Sequence, residues 1–300
     1  MSSVTKPAHV FGRDREWAGL VKFATSPSPD VRLGLVSGRR LLGKTHLLDA
    51  LTREVGGFFF AAADETETAA LTRFGQALAP HTGGGRLAFA NWDEALERLL
   101  SVVPEGLVVI DEFPHLRRVS ASLPSLIQHH LDPRGPAGQG KTRLLLCGSA
   151  PEAMGRLLGD NAPLRGRASL DLVVRPLDHK ASARFWGLDD PRLAVLVHSI
   201  VGGAPAYRRE FVAGDAPESV EDFDAWVART VLNPASPLYR EARYLLAERV
   251  DVRDRAIYHA VLGAIAAGNA TRGYREPYRP QIHRHRAPAF GPGGLATHRP

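Results

Sequence analysis

Gly38-Arg39-Arg40-Leu41-Leu42-Gly43-Lys44-Thr45 decides how the rest of this chain is read. The octapeptide fits G-x-x-x-x-G-K-[ST]; the apolar run Leu33-Gly34-Leu35-Val36 precedes it, and Thr45 to Leu51 continues with helical spacing. Strand, glycine-rich loop and helix, in that order, make a phosphate site. Two glycines let the backbone wrap so that successive N–H groups point at phosphate oxygens, and the following helix adds the positive end of its dipole. Lys44 is expected to reach the β and γ oxygens, and the Thr45 hydroxyl to meet Mg²⁺, a hard cation that prefers oxygen. Arg39, Arg40, Leu41, Leu42 and His46 complete the stretch expected to line the nucleotide. Lys44 is also one of only five lysines in a chain otherwise rich in arginine, which makes a chance lysine less common there.

The same chain carries a control. Gly135-Pro136-Ala137-Gly138-Gln139-Gly140-Lys141-Thr142 satisfies the pattern too, but a strand-like run, Arg143 to Cys147, follows where a helix is needed. No helix N-terminus would then face a phosphate, so this match reads as a surface turn.

With 300 residues, 44% apolar and 23% charged, the chain can bury a sizeable core. No apolar run reaches the length of a membrane span and the first residues lack a signal-peptide segment, so a cytoplasmic protein is expected. Cys147 is the only cysteine and falls in an expected central strand, where it reads as a small buried hydrophobe. The net charge of +6 suggests nucleic acid at first sight. From Arg272 onward, however, six arginines face one acid, Glu276, so the preceding body is nearly neutral and nucleic-acid binding is expected to be weak.

Beyond the phosphate loop, Phe58-Phe59-Phe60-Ala61 reads as a strand, Asp64-Glu65-Thr66 as caps for a helix through Leu78, and Trp92 to Val103 as a helix. Leu107-Val108-Val109-Ile110 then closes on Asp111-Glu112. An apolar run buried in a parallel sheet presents the residues after it to ligand, because ligands gather at strand carboxyl ends. Asp111 is placed to hold Mg²⁺ and Glu112 to prepare the attacking water. Ser122 to Leu131 reads as a helix, and the strand Leu144 to Cys147 ends on Gly148-Ser149, a position from which Ser149 could contact a γ-phosphate. Ala150 to Leu158 reads as helical, and Leu170 to Val174 as a fifth strand preceded by Arg165-Gly166-Arg167. An arginine there, from this chain or a neighbouring subunit, could stabilise transition-state charge. From His179 to Ala267 the pattern is helix upon helix, interrupted by the breaker Gly202 to Tyr207.

Taken together these motifs resemble the archaeal-type ATPases of the P-loop superfamily, near the signal-transducing (STAND) branch and the AAA+ ATPases. The resemblance spans about Val10 to Ala270. Phe11-Gly12-Arg13 resembles that family's N-terminal box near the nucleotide base, Gly38 to Thr45 its Walker A and Ile110-Asp111-Glu112 its Walker B. Cys147-Gly148-Ser149 resembles its γ-phosphate-sensing strand end, and Leu164-Arg165-Gly166-Arg167 its arginine box, with Arg167 the better match. Gly203-Ala204-Pro205 resembles the Gly-x-Pro element whose proline packs on adenine. The resemblance therefore implies nucleotide contacts at Gly12, Arg13 and Pro205.

The expected fold is α/β, a P-loop NTPase with a five-stranded parallel sheet between helices and a smaller helical lid. The expected organisation is an ATPase core over 1–178, a lid and the start of a winged helix over 179–271, and a disordered basic tail over 272–300. The tail does not continue the winged helix, which reads as a truncation or frameshift and weakens a DNA-associated function. The expected activity is Mg²⁺-dependent hydrolysis of ATP to ADP by a nucleotide-driven switch, with Lys44, Glu112, Ser149 and Arg167 catalytic and Thr45 and Asp111 on the metal. A module that holds nucleotide without turnover stays open as the alternative. Assembly as a homo-oligomer or with a protein partner is left open too.

Overall fold

The computed structural model describes residues 4–27, 32–132, 134–135, 140–248, 260–261 and 263–265. Residues 1–241 form one compact unit and 242–300 another. The sheet and the helices after it as far as Glu241 thus belong to one unit.

Its centre is a sheet of β1 (Arg32–Ser37), β2 (Phe58–Ala61), β3 (Glu105–Asp111), β4 (Lys141–Gly148) and β5 (Ala168–Val173). The order is β2-β3-β4-β1-β5 and every pairing is parallel. Successive strand residues point to opposite faces, and both faces are covered. Val108 and Ile110 enter one core with Phe58, Phe60, Leu144 and Leu146, against α3 (Glu67–Leu78), α4 (Trp92–Val102), α5 (Phe113–Val119) and α6 (Leu123–Leu131). Leu107 and Val109 enter the other with Val36, Leu145 and Cys147, against α1 (Asp14–Ala24) and α2 (Lys44–Val55). Burial on both faces explains why these strands read as continuous apolar runs. Strand β5, at the sheet edge, alternates between half-buried and exposed residues.

Local chemistry sets the helix starts. The Thr66 side chain accepts from the Ala69 amide at 3.4 Å. Asn91 accepts from the Glu94 amide at 3.0 Å while Glu94 accepts from the Ala90 amide at 2.9 Å, a reciprocal cap. Phe113-Pro114 follows the end of β3 and opens α5, because proline fits a first helical turn. One expected boundary shifts. The helix expected over Ala150 to Leu158 is only α7 (Pro151–Gly155), with Gly155 and Gly159 lowering helix propensity there.

After β5 the chain is helical, as expected: α8 (His179–Trp186), α9 (Pro191–Val201), a π-helical turn (Tyr207–Phe211), α10 (Phe223–Thr230) and α11 (Pro237–Glu248). Asp178 and Asp190 cap α8 and α9. Their core surrounds Trp226, fully buried, which packs edge-on against Trp186 at 5.8 Å and donates its indole N–H to the Asp215 carbonyl at 3.2 Å. Phe11 and Leu41 pack against this same cluster, so the N-terminal box and the phosphate loop both touch the helical part. Residues 260–261 and 263–265 are helical, inside the stretch from His179 to Ala267 expected as helix upon helix. The basic tail from Arg272, and with it the expectation of disorder, lies outside the described residues. So do 136–139 of the second G-x-x-x-x-G-K-T match; its Lys141 and Thr142 begin β4, which removes the helix a phosphate loop requires. No helix among the described residues is long and apolar enough to cross a membrane.

Candidate nucleotide site

Parallel pairing carries the ends of β1, β3 and β4 to one edge of the sheet, with β4 between the other two. The phosphate loop leaves β1 there. Gly38 takes φ 151°, and a Cβ on it would lie 2.4 Å from the Val174 carbonyl oxygen, so only glycine fits. Leu41 takes φ 66°, a left-handed conformation unfavourable for a branched side chain, and Gly43 caps α2 at φ 82°. The resulting wrap buries Lys44, whose Nζ donates to the Arg39 carbonyl at 2.8 Å. Burial pushes the Lys44 ammonium below its ordinary pKa, against the pull of Glu112 and Asp111.

Asp111, buried at the end of β3, binds the loop from the other side. Its Oδ2 accepts from the Thr45 hydroxyl at 2.6 Å and its Oδ1 from the Glu112 amide at 2.9 Å. One carboxylate and one hydroxyl meeting at a phosphate loop are a donor set suited to Mg²⁺, which takes few protein ligands and fills the rest with water and phosphate. Among the described residues no group of three or more His, Cys, Asp or Glu side chains could hold a metal, so a transition-metal cage is not built here. Behind Asp111 sits the buried Cys147 thiol, pushed well above its ordinary pKa by burial and by the nearby carboxylate. It is a neutral packing group.

Glu112 turns the chain from β3 into α5 with φ 51° and ψ 40°. The turn brings its carboxylate to Ser149, at the end of neighbouring β4, where it accepts from the Ser149 amide at 3.3 Å and from the Ser149 hydroxyl. Two motifs separated in sequence thus meet directly.

Arg13 has a structural task besides its place in the cleft. Its guanidinium is buried and donates to the Arg175 carbonyl at 2.7 Å, the Leu42 carbonyl at 3.0 Å and Glu16 at 3.0 Å. It lines the cleft and braces the phosphate loop against the segment leading out of β5. Gly12, at φ 63°, does not line the cleft, and a Cβ on it would come within 3.3 Å of Leu177. The glycine before Pro205 has a similar origin: a Cβ on Gly203 would sit 1.9 Å from the Leu177 carbonyl oxygen, where the Leu177 amide donates to Gly203 at 2.8 Å.

A cleft of about 740 Å³ opens over these groups. It gathers Arg13, Arg40, Leu41, Leu42, Gly43, Lys44, Thr45, His46, Glu112, Ser149 and Pro205, all expected from sequence. Gly38 and Arg39 do not line the cleft; Gly38 turns the loop, and the Arg39 carbonyl accepts from Lys44. Arg167 is not brought here. In the β1–β5 register Ala168 lies beside Leu33 and Val173 beside Ser37, so Arg167 stands at the opposite sheet edge, about 13 Å away by strand rise. Its guanidinium meets Asp132 at 3.2 Å. The cleft also holds His9, Phe59, Phe185, Ala206, Arg209 and Glu210, which no sequence motif marks. His9 packs edge-on against His46 at 5.1 Å, and only the folded helical part delivers Phe185 and Arg209.

No family model matches the chain. An uncharacterised protein of Methanocaldococcus jannaschii is 24% identical over 245 residues, 81% of this chain; the chain spans about half, 52%, of that relative's length. Among solved structures, a Walker-type ATPase of Pyrococcus abyssi aligns over 88% of this chain and 82% of its own with a TM-score of 0.56 and 21% identity. The fold is that of the archaeal P-loop ATPases. The ORC2 protein of Aeropyrum pernix, in its ADPNP–ADP complexes, also aligns, over 69% of this chain and 62% of its own with a TM-score of 0.51 and 17% identity.

Proposed function

We propose that this chain is a Mg²⁺-dependent ATPase whose bound nucleotide switches the helical part relative to the sheet. The observation that carries the reading is the bond between the Thr45 hydroxyl and Asp111 at the mouth of a buried-lysine phosphate loop, with Glu112 beside it. Lys44 and the loop amides neutralise the phosphates. Thr45 and Asp111 hold Mg²⁺, which when bound neutralises phosphate charge. Glu112 takes a proton from water as the water oxygen bonds to the γ-phosphorus and the bridging oxygen leaves with ADP. Ser149, which holds the Glu112 carboxylate, exchanges that partner for a γ-phosphate oxygen and so frees the base. Phe11, Leu41 and Pro205 link nucleotide occupancy to the helical part, because each belongs to the cleft and the first two also to the helical core. Arg167 reaches a γ-phosphate only in a neighbouring copy.

Glu112→Gln should keep nucleotide affinity and lower phosphate release at least about a hundredfold. Turnover equal to the wild type would remove Glu112 from this role. One observation favours the second reading, a module that holds nucleotide without hydrolysis: both bonds from Ser149 occupy the carboxylate that would act as base. Tight nucleotide retention without phosphate release, in the wild type and in Ser149→Ala alike, selects that reading.

A further inference from the structure

We propose a second ligand site, for a phosphoryl anion, in a cleft adjoining the nucleotide cleft. This cleft, of about 500 Å³, is walled by Phe11, Phe185 and three arginines, Arg184, Arg208 and Arg209. Arg184 arrives from the last turn of α8, and Arg208 and Arg209 from the π-helical turn, a backbone irregularity found often at functional sites. The Arg208 and Arg209 guanidiniums lie 5.6 and 5.4 Å from the centre of the Phe185 ring. Stacking on an aromatic ring orients planar cations without neutralising them.

No close ion pair meets their charge, although Arg209 donates to the His9 carbonyl at 3.5 Å. Among the described residues none of the three arginines makes an ion pair, and the nearby acids are engaged elsewhere. Asp215, next to Gly214 on the cleft wall, accepts from Arg229 at 2.9 and 3.0 Å. Asp178 caps α8 through the Ala181 amide at 2.8 Å, and its carboxylate acts on Arg184 only from beyond ion-pair distance. Glu210 lines the nucleotide cleft instead. The C-terminal dipole of α8 accounts for a cation at Arg184 but not for two more converging on the same space. Three guanidiniums around one cleft repel each other until an anion enters, and phosphoryl oxygens match the fork geometry of guanidinium N–H groups. The volume exceeds that of a lone phosphate, so the group is carried either by a free diphosphate-sized anion or by a nucleic-acid backbone.

Phe11, Phe185 and Arg209 line both clefts. An occupant of the arginine cleft therefore shares a wall with the nucleotide, and its binding and that of the nucleotide influence each other reciprocally. That coupling rests on the ATPase reading; the anion site does not.

The test uses the full chain carrying Lys44→Ala, so that the phosphate loop cannot supply the signal. Inorganic pyrophosphate and a short oligothymidylate are titrated separately by calorimetry at low ionic strength. At least one should bind, and Arg184→Glu or Arg208→Gln added to Lys44→Ala should each weaken it about tenfold or more. Pyrophosphate alone identifies a small phosphoryl ligand; oligothymidylate binding that falls steeply with salt identifies a phosphodiester backbone. Absence of binding by both probes, or affinity unchanged in both arginine variants, overturns the proposal. If Arg208→Gln loses its cooperative melt, the exposed Arg184→Glu decides. Failure of the ATPase reading would leave this result untouched, because no step depends on turnover.

Discussion

Two stretches of this chain spell the same eight-residue pattern, and the molecule uses them for unrelated purposes. In the first, Lys44 is buried on the Arg39 carbonyl and the Thr45 hydroxyl donates to Asp111. In the second, Lys141 is exposed 3.8 Å from Glu105, and the Thr142 hydroxyl donates to the Val103 carbonyl at 2.7 Å. The leading glycine is sterically required in both: a Cβ on Gly38 would meet the Val174 carbonyl at 2.4 Å, one on Gly135 the His129 carbonyl at 2.1 Å. Gly38 folds a phosphate loop; Gly135 comes after the end of α6. The element that comes next separates the two. A helix aims free amides back at the loop, whereas a strand gives its amides to a neighbouring strand.

Substitutions made in pairs sharpen this contrast. The largest effect is expected for Lys44→Ala, which should weaken nucleotide binding about a hundredfold or more, while Lys141→Ala leaves it at the wild-type value. Calorimetric titration with ATP and Mg²⁺ compares them, and equal losses would break the comparison. Next come the glycines. Both Gly38→Ala and Gly135→Ala should cost about 1–3 kcal/mol in chemical unfolding, but only Gly38→Ala should also impair nucleotide binding. Smaller again, Thr142→Val should lower stability by about 1 kcal/mol through the lost bond to Val103 and leave Mg²⁺-dependent binding intact. Thr45→Val should abolish the Mg²⁺ dependence instead.

The smallest effect concerns the second stretch alone. Asp132, just before it, accepts from the Arg134 amide at 3.0 Å and from Arg167 at 3.2 Å, and these bonds hold its carboxyl below the ordinary 3.8. A depressed carboxyl pKa contributes stability that is present above 3.8 and lost as pH falls through the lower folded value. An NMR titration of the Asp132 carboxyl should therefore give a midpoint below 3.8 in the wild type, moved upward by Arg167→Gln. A midpoint indifferent to that substitution would detach Arg167 from Asp132.

Much of the site is legible in the order of residues along the chain. The phosphate loop, the acids closing β3 and the serine closing β4 each come after a short apolar run, whose length and flanking glycines or acids fit a strand buried on both faces. Pattern could not reveal that Arg13 braces the loop through Leu42 and Arg175, since a buried guanidinium beside two carbonyls leaves no periodic trace. Phe185 and Arg209 escape for a similar reason: each sits in an ordinary helical context, and its place in the cleft depends on how distant helices pack.

By itself, then, the sequence determined the parallel α/β fold and the end of the sheet where phosphate would bind. Short-range sterics, side-chain periodicity and glycine freedom act within a few residues and are written in the chain order. Tertiary structure alone decided that Arg167 stands at the far edge with Asp132, that Glu112 meets Ser149, and that three arginines share one cleft. Those outcomes depend on strand register and helix packing between segments remote in sequence, where a shift of a single residue would send the same side chains to different neighbours.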